Sequence, residues 1–157
     1  MEIGLALAIL GAALSASLGG AGSAIGVGLA GKAAAGVTSQ KPELFGKMLI
    51  MQALPGTQGI YGFLTAILIM VQIGVLGGEP VSLTVSQGLA FLFASLPIAI
   101  GGLLSGIFQG SAAVSAIHMT AKQPELSAKG ITITAMVETY AILALLVSIL
   151  LIYGIAI

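Results

Sequence analysis

Cysteine and tryptophan are absent from this 157-residue chain, and charge of either sign is scarce. Without cysteine there is no disulfide, no thiolate metal site and no thiol catalysis. Without tryptophan, any belt at a membrane interface must rest on Tyr, Lys and loop residues. Charged residues make up 6% of the chain, against roughly 25% in soluble domains, which is too little polar surface to cover one. Five basic residues balance five acidic ones, so a nucleic-acid partner has no electrostatic basis. What is plentiful is apolar: 58% hydrophobic residues and a mean hydropathy of +1.17. The composition leaves an integral membrane protein in contact with lipid.

The first basic residue is Lys32, so the N-terminus lacks the positive flank of a cleavable signal, and the apolar run Ile3–Gly31 is too long for a signal core. It is expected to be a permanent helix. Polar or Pro-containing breaks at Thr38–Glu43, Gly77–Pro80 and Lys122–Glu125 separate apolar stretches near 3–36, 44–77, 84–118 and 126–156. Each exceeds the roughly 20 residues that cross a bilayer core as helix. The expected fold is all-α, an integral membrane protein of four helices.

The second half repeats the first at an offset of 82 residues: Lys41-Pro42-Glu43-Leu44 aligns with Gln123-Pro124-Glu125-Leu126, Ser23 with Ser105, Gly28 with Gly110. Two spans per copy make the repeats parallel in topology. The chain thus reads as two tandem helical hairpins, 1–78 and 79–157. Lys41, Lys47, Lys122 and Lys129 flank the two polar loops, with Lys32 near enough to snorkel toward the first. The positive-inside rule places loops 38–43 and 119–125 in the cytoplasm, and both termini and the 77–83 turn outside the cell membrane. Gly19, Gly20, Gly22, Gly26, Gly28 and Gly31 leave the first helix nearly bare on one face. Small residues of this kind allow close helix approach, either within one subunit or around a crowded inner ring. Gly101, Gly102, Gly106 and Gly110 repeat the feature in the third helix.

Glu138 is the only charge between Gly130 and the C-terminus. A carboxylate at that depth costs about 2.5–3.5 kcal/mol on insertion scales, so it marks an ion pathway. Its counterpart in the first copy is Gly56, so one ionisable site serves four helices. Counted at 1.5 Å per residue, Glu138 lies about 17–20 Å from the cytoplasmic loop, near mid-membrane. Thr57, Gln58 and Gln109 reach a similar level from their own loops. Thr hydroxyl, Gln carbonyl and carboxylate oxygens suit a hard monovalent cation. Pro55 lacks an N–H, so the bend it makes frees a backbone carbonyl, of Leu54 or Met51, as a further ligand. Tyr61 follows Thr57 by one helical turn and can donate its hydroxyl to the carboxylate. The amides favour a metal ion over a bare proton. Residues Gly26–Ala33 match a dinucleotide GxGxxG and come within one residue of a phosphate-binding loop, but follow no strand and lack the hydroxyl for Mg²⁺. His118, alone near a helix end, suits a structural or capping role. Met48, Met51 and Met70 read as packing residues, and Tyr153 as an interface anchor.

Leu54–Phe63 (LPGTQGIYGF), Ser105–Gly110 (SGIFQG) and Met136–Ala141 (MVETYA) together resemble the rotor-ring proteolipid of V-type ATPases, known as the c or K subunit. Within that family they are most similar to the sodium-translocating K subunit of bacterial V-type enzymes. The likeness spans essentially the whole chain. It implies a closed homo-oligomeric ring turning in lipid against a stator subunit, driven through a central stalk seated on the cytoplasmic loops, with ATP hydrolysed elsewhere in the complex. It implies that Glu138 carries Na⁺, with the Leu54 main chain, Thr57, Gln58 and Gln109 completing the coordination and Tyr61 locking the carboxylate. Li⁺ is an expected substitute. An emptied site is anionic, and no Lys or Arg of this chain lies within the membrane, so the stator must supply the cationic partner. Two other readings stay open on the residues: the same rotor carrying protons, and a small proton-coupled secondary transporter.

Overall fold

The computed structural model describes residues 2–157 as six α-helices: α1 (Ile3–Gln40), α2 (Phe45–Ala53), α3 (Thr57–Gln72), α4 (Val85–Lys122), α5 (Ser127–Met136) and α6 (Glu138–Tyr153). Single 3₁₀ turns at Pro42–Leu44, Leu54–Gly56 and Pro124–Leu126 join them into four rods, Ile3–Gln40, Pro42–Gln72, Val85–Lys122 and Pro124–Tyr153. Each rod is long and apolar enough to cross a membrane. Among the described residues there is no strand. The GxGxxG stretch lies in the middle of α1 and forms no phosphate-binding loop.

The rods end where local chemistry stops them, not where hydropathy falls. The first and third run four residues past the expected 36 and 118. They stop at Lys41 (φ −136°, ψ 72°) and Gln123 (φ −137°, ψ 87°). Both precede a proline, whose ring drives the preceding residue out of the helical region. The second rod ends at Gln72, five residues before the expected 77, because Gly74 and Gly77 take positive φ (75° and 84°), a conformation that terminates helices and favours glycine. The third rod starts with a capping box: the Thr84 hydroxyl accepts from the Gln87 N–H at 3.2 Å and the Gln87 amide oxygen accepts from the Thr84 N–H at 2.9 Å. The fourth rod ends at Tyr153, three residues before the expected 156.

Hydrogen bonds fix which ends lie together. Lys41 Nζ donates to the Ala121 carbonyl (2.6 Å) and Lys47 Nζ to the Pro124 carbonyl (2.8 Å), so both polar loops share one end. At the other end Ser82 donates to the Glu2 carboxylate (2.9 Å) and Gln87 Nε2 to the Ala156 carbonyl (2.9 Å). Both termini and the 73–84 connection therefore share the opposite end.

Helices α1 and α4 run parallel and in register, the paired glycines acting as the seam. A Cβ on Gly22 would stand 2.6 Å from the Leu103 Cα and 2.7 Å from the Gly102 carbonyl, and one on Gly106 would stand 2.6 Å from the Gly22 carbonyl carbon. Gly26 meets Gly106 and Gly110 just as closely. Gly101 is the exception, facing Ala144 of α6. Gly20, Gly28 and Gly36 meet nothing within 4 Å, so α1 has a filled glycine face and an open one. Above and below the seam sit two apolar clusters, one around Ile69, Ile73, Phe91 and Ile152, the other around Met48, Met51, Ala113 and Ile117. Large apolar side chains also cover the outside, among them Phe63, Phe93, Phe108, Leu143 and Leu150. An exposed apolar surface of that extent suits lipid.

Candidate functional site

Both shorter rods break at one level, and the polar side chains gather there. In the second rod Pro55 tightens Leu54–Gly56 into a 3₁₀ turn. In the fourth the helix stops at Met136 and restarts at Glu138, at the position equivalent to that break in the repeat, with no proline present. The Val137 N–H reaches the Thr134 carbonyl three residues back, at 3.3 Å. Side chains from α4 occupy the carbonyls around the interruption: Gln109 Nε2 donates to Thr134 O (3.2 Å) and Ser105 Oγ to Val137 O (3.1 Å). Glu138 thus opens α6, fourteen residues after Pro124 and fifteen before Tyr153, at the middle of its rod.

Around this level the oxygens form a connected set. Tyr61 Oη donates to Glu138 Oε1 at 2.5 Å, and among the described residues this is the one hydrogen bond the carboxylate receives. Gln58 Nε2 donates to Gln109 Oε1 (2.5 Å) and to Ser105 Oγ (3.0 Å). Thr57 Oγ1 lies 3.1 Å from the Leu54 carbonyl and 3.4 Å from Gln58 Oε1. Gln58 and Gln109 are wholly buried. Burying two amides this completely is tolerable only because each polar atom has a partner, and no buried side-chain nitrogen or oxygen among the described residues is left without one.

All six residues expected from the sequence lie at this level, but in two subsets. Leu54, Thr57, Gln58 and Gln109 form one chain of contacts, and Tyr61 with Glu138 the other, joined through the Thr57–Tyr61 turn of α3. The Leu54 carbonyl is not a free ligand as expected: the Thr57 N–H and the Thr57 hydroxyl both donate to it, filling its two lone pairs. Rotation of the Thr57 hydroxyl hydrogen exposes both oxygens at once. Three contributors were not expected as site residues from the sequence. Ser105 sits one turn before Gln109 on the same face of α4, Thr134 one turn before Glu138, and Ser23 accepts from the Gly59 N–H at 2.7 Å. The i, i+4 spacings of the first two were the available signal.

Chemically, one carboxylate among neutral oxygens carries a single negative charge, which one monovalent cation neutralises. Among the described residues no three His, Cys, Asp or Glu side chains come together as a metal cluster would need. A cation with metal–oxygen distances of about 2.4 Å places neighbouring ligand oxygens roughly 3.4 Å apart in octahedral geometry. Thr57 Oγ1 lies 3.1 Å from Leu54 O and 3.4 Å from Gln58 Oε1, close to that spacing. A cleft of about 630 Å³ lies elsewhere, at the polar-loop end between α1 and α4, lined by Lys32, Lys41, Lys122 and the exposed His118.

The sequence profile of the family described as the ATP synthase C subunit matches residues 10–69 and again 92–151. Each end of the second match falls 82 residues after the corresponding end of the first. The chain is 51% identical over 149 residues to the V-type sodium ATPase K subunit of Enterococcus hirae, covering 95% of this chain and 92% of that protein. It is 40% identical over 151 residues to the A-type ATP synthase K subunit of Methanocaldococcus jannaschii, covering 96% of this chain and 64% of that one. It is 28% identical over 144 residues to the 16 kDa proteolipid of the human V-type proton ATPase, covering 92% and 89%.

Proposed function

The chain belongs to the ATP synthase C-subunit family, and from that membership we propose that it is the rotor-ring subunit of a sodium-translocating V-type ATPase. It is a multi-pass membrane subunit that carries the ion and does not itself hydrolyse ATP. Each of its hairpins, 1–78 and 79–157, is one copy of a duplicated unit, and copies of the chain close into a ring. Na⁺ is the cargo, held by Glu138, Gln109, Gln58, Thr57 and the Leu54 carbonyl, with Tyr61 fixing the carboxylate. Li⁺, of the same charge and smaller, binds the same oxygens. Loops 38–43 and 119–125 face the cytoplasm and meet the central stalk.

The observation that carries this reading is the convergence of two buried glutamines, a threonine and a tyrosine on the level of the single intramembrane carboxylate. A proton carrier needs the acid and an apolar pocket. It has no use for buried amides held oxygen-first beside a hydroxyl. With Na⁺ in place the site is neutral and passes through lipid without the cost of a bare charge. Emptied, it is anionic and must be met by a cation from the stator, since no Lys lies near this level. The test is carbodiimide labelling of Glu138 in the purified ring at fixed pH. Millimolar sodium is expected to protect it. Labelling that follows pH and ignores sodium makes the ring a proton rotor and overturns the reading.

A further inference from the structure

We infer that Ser105 is a positioning residue for the cation site, setting which way the Gln58 amide faces. The inference rests on the reading of Thr57, Gln58 and Gln109 as ligands. A serine hydroxyl has one hydrogen and two lone pairs. The hydrogen of Ser105 goes to the Val137 carbonyl at 3.1 Å. Toward α3 the hydroxyl is therefore an acceptor, and the group facing it at 3.0 Å must be the Gln58 NH₂. With its nitrogen fixed on that side, Gln58 turns its carbonyl oxygen toward Thr57.

The same sense runs through the whole chain of bonds. Gln109 gives its NH₂ to Thr134 O (3.2 Å), which turns its own oxygen toward Gln58. Reversing Gln58 would set two amide oxygens against each other and present an NH₂ where a cation needs an oxygen. Ser105 and Gln109 thus tie Gln58 of α3 to two backbone carbonyls of the fourth rod, in one polarised relay. At the equivalent break in the second rod a proline does the structural work. In the fourth, hydrogen bonds from Ser105 and Gln109 stand in its place.

The test uses the intact ring and radiolabelled sodium. Ser105→Ala is expected to weaken sodium binding roughly tenfold, the size of one buried hydrogen bond and its orphaned partner. Ser105→Thr, which keeps the hydroxyl, should recover most of it. Ser148→Ala removes another buried hydroxyl, bonded to the Ile98 N–H at 3.2 Å away from the site, and should leave binding unchanged. The second readout is the pH profile of carbodiimide labelling without sodium, which depends on the Tyr61–Glu138 pair and should not move in Ser105→Ala, since the Gln109 bond to the Thr134 carbonyl still holds the break. If that profile shifts as far as binding does, the serine is only structural and the inference fails. If Gln109→Ala weakens binding and Ser105→Ala does not, the positioning role alone is overturned. If neither variant matters, the ligand assignment itself is wrong.

Discussion

Gly22→Ala and Gly28→Ala should have opposite effects, although both add one methyl group to the same helix. At Gly22 the new Cβ would stand 2.6 Å from both Leu103 Cα and Leu103 O. These are backbone atoms that no rotamer change can move aside. Ordinary contact begins near 3.4 Å, so α1 and α4 must separate by most of an ångström. Overpacking of this kind costs about 1–3 kcal/mol. A gap of that size along the seam also forfeits a quarter to a half of each neighbouring dispersion contact. Against this, replacing a mid-helix glycine returns about 1 kcal/mol of helix propensity. The net loss, on the order of 2 kcal/mol, should lower the unfolding temperature of the detergent-solubilised subunit by roughly 4–8 °C for a chain of this size. At Gly28 nothing lies within 4 Å, so the dissociated subunit gains the propensity term alone. Thermal unfolding of the dissociated subunit, for both variants, decides it. A Gly22→Ala subunit as stable as the parent would refute the packing argument.

Three further outcomes are expected. Tyr61→Phe removes the hydroxyl on Glu138 Oε1; a hydrogen bond to a charged group is worth about 1.5–3 kcal/mol, and with both residues half-buried the low end applies, so sodium affinity measured by equilibrium binding should fall about tenfold. Pro55→Ala restores an N–H and lets the second rod close into a regular helix, so heating should unfold the ring later than the parent, since interior proline costs about 3 kcal/mol, while sodium binding weakens as the Leu54 and Thr57 oxygens lose their placement. Gly56→Glu recreates the missing carboxylate, with only Val27 Cγ2 within 4 Å of the new Cβ, at 3.7 Å, and the measured stoichiometry should stay at one sodium per subunit.

The four spans, the duplication and the common level of the candidate residues could be read from the chain because each rests on a one-dimensional signal: long apolar runs, a fixed offset, and polar residues counted from the loops. The rod ends could not be placed from hydropathy, since Lys41 and Gln123 stop helices through the proline that follows and Gly74 stops one through its backbone freedom. Pro55 announced the break in the second rod. Nothing announced the break at Val137, which is made by side chains from a helix some thirty residues away. Ser105 was visible in the repeat but not as part of the site, because its role lies in the direction of a hydrogen bond, and direction appears only once donor and acceptor are placed together.

The two copies of the hairpin share a backbone plan and differ in what it is used for. Each has a break at the same level, and each has a serine on the preceding helix, Ser23 or Ser105, bonded to the broken rod. Where the second copy has Gln109 and Glu138, the first has Val27 and Gly56, which lie against each other as plain van der Waals neighbours. Where the first has Gln58 and Tyr61, the second has Tyr140 and Leu143, both turned to the outside. The candidate site residues are therefore divided: carboxylate and one amide from the second copy, hydroxyl, phenol and the other amide from the first. Neither hairpin alone brings these oxygens together; they meet where α3 of one faces α4 and α6 of the other. Val27 stands where the amide would be that a glutamate at position 56 would need, so the candidate site depends on the pairing of the two unlike halves.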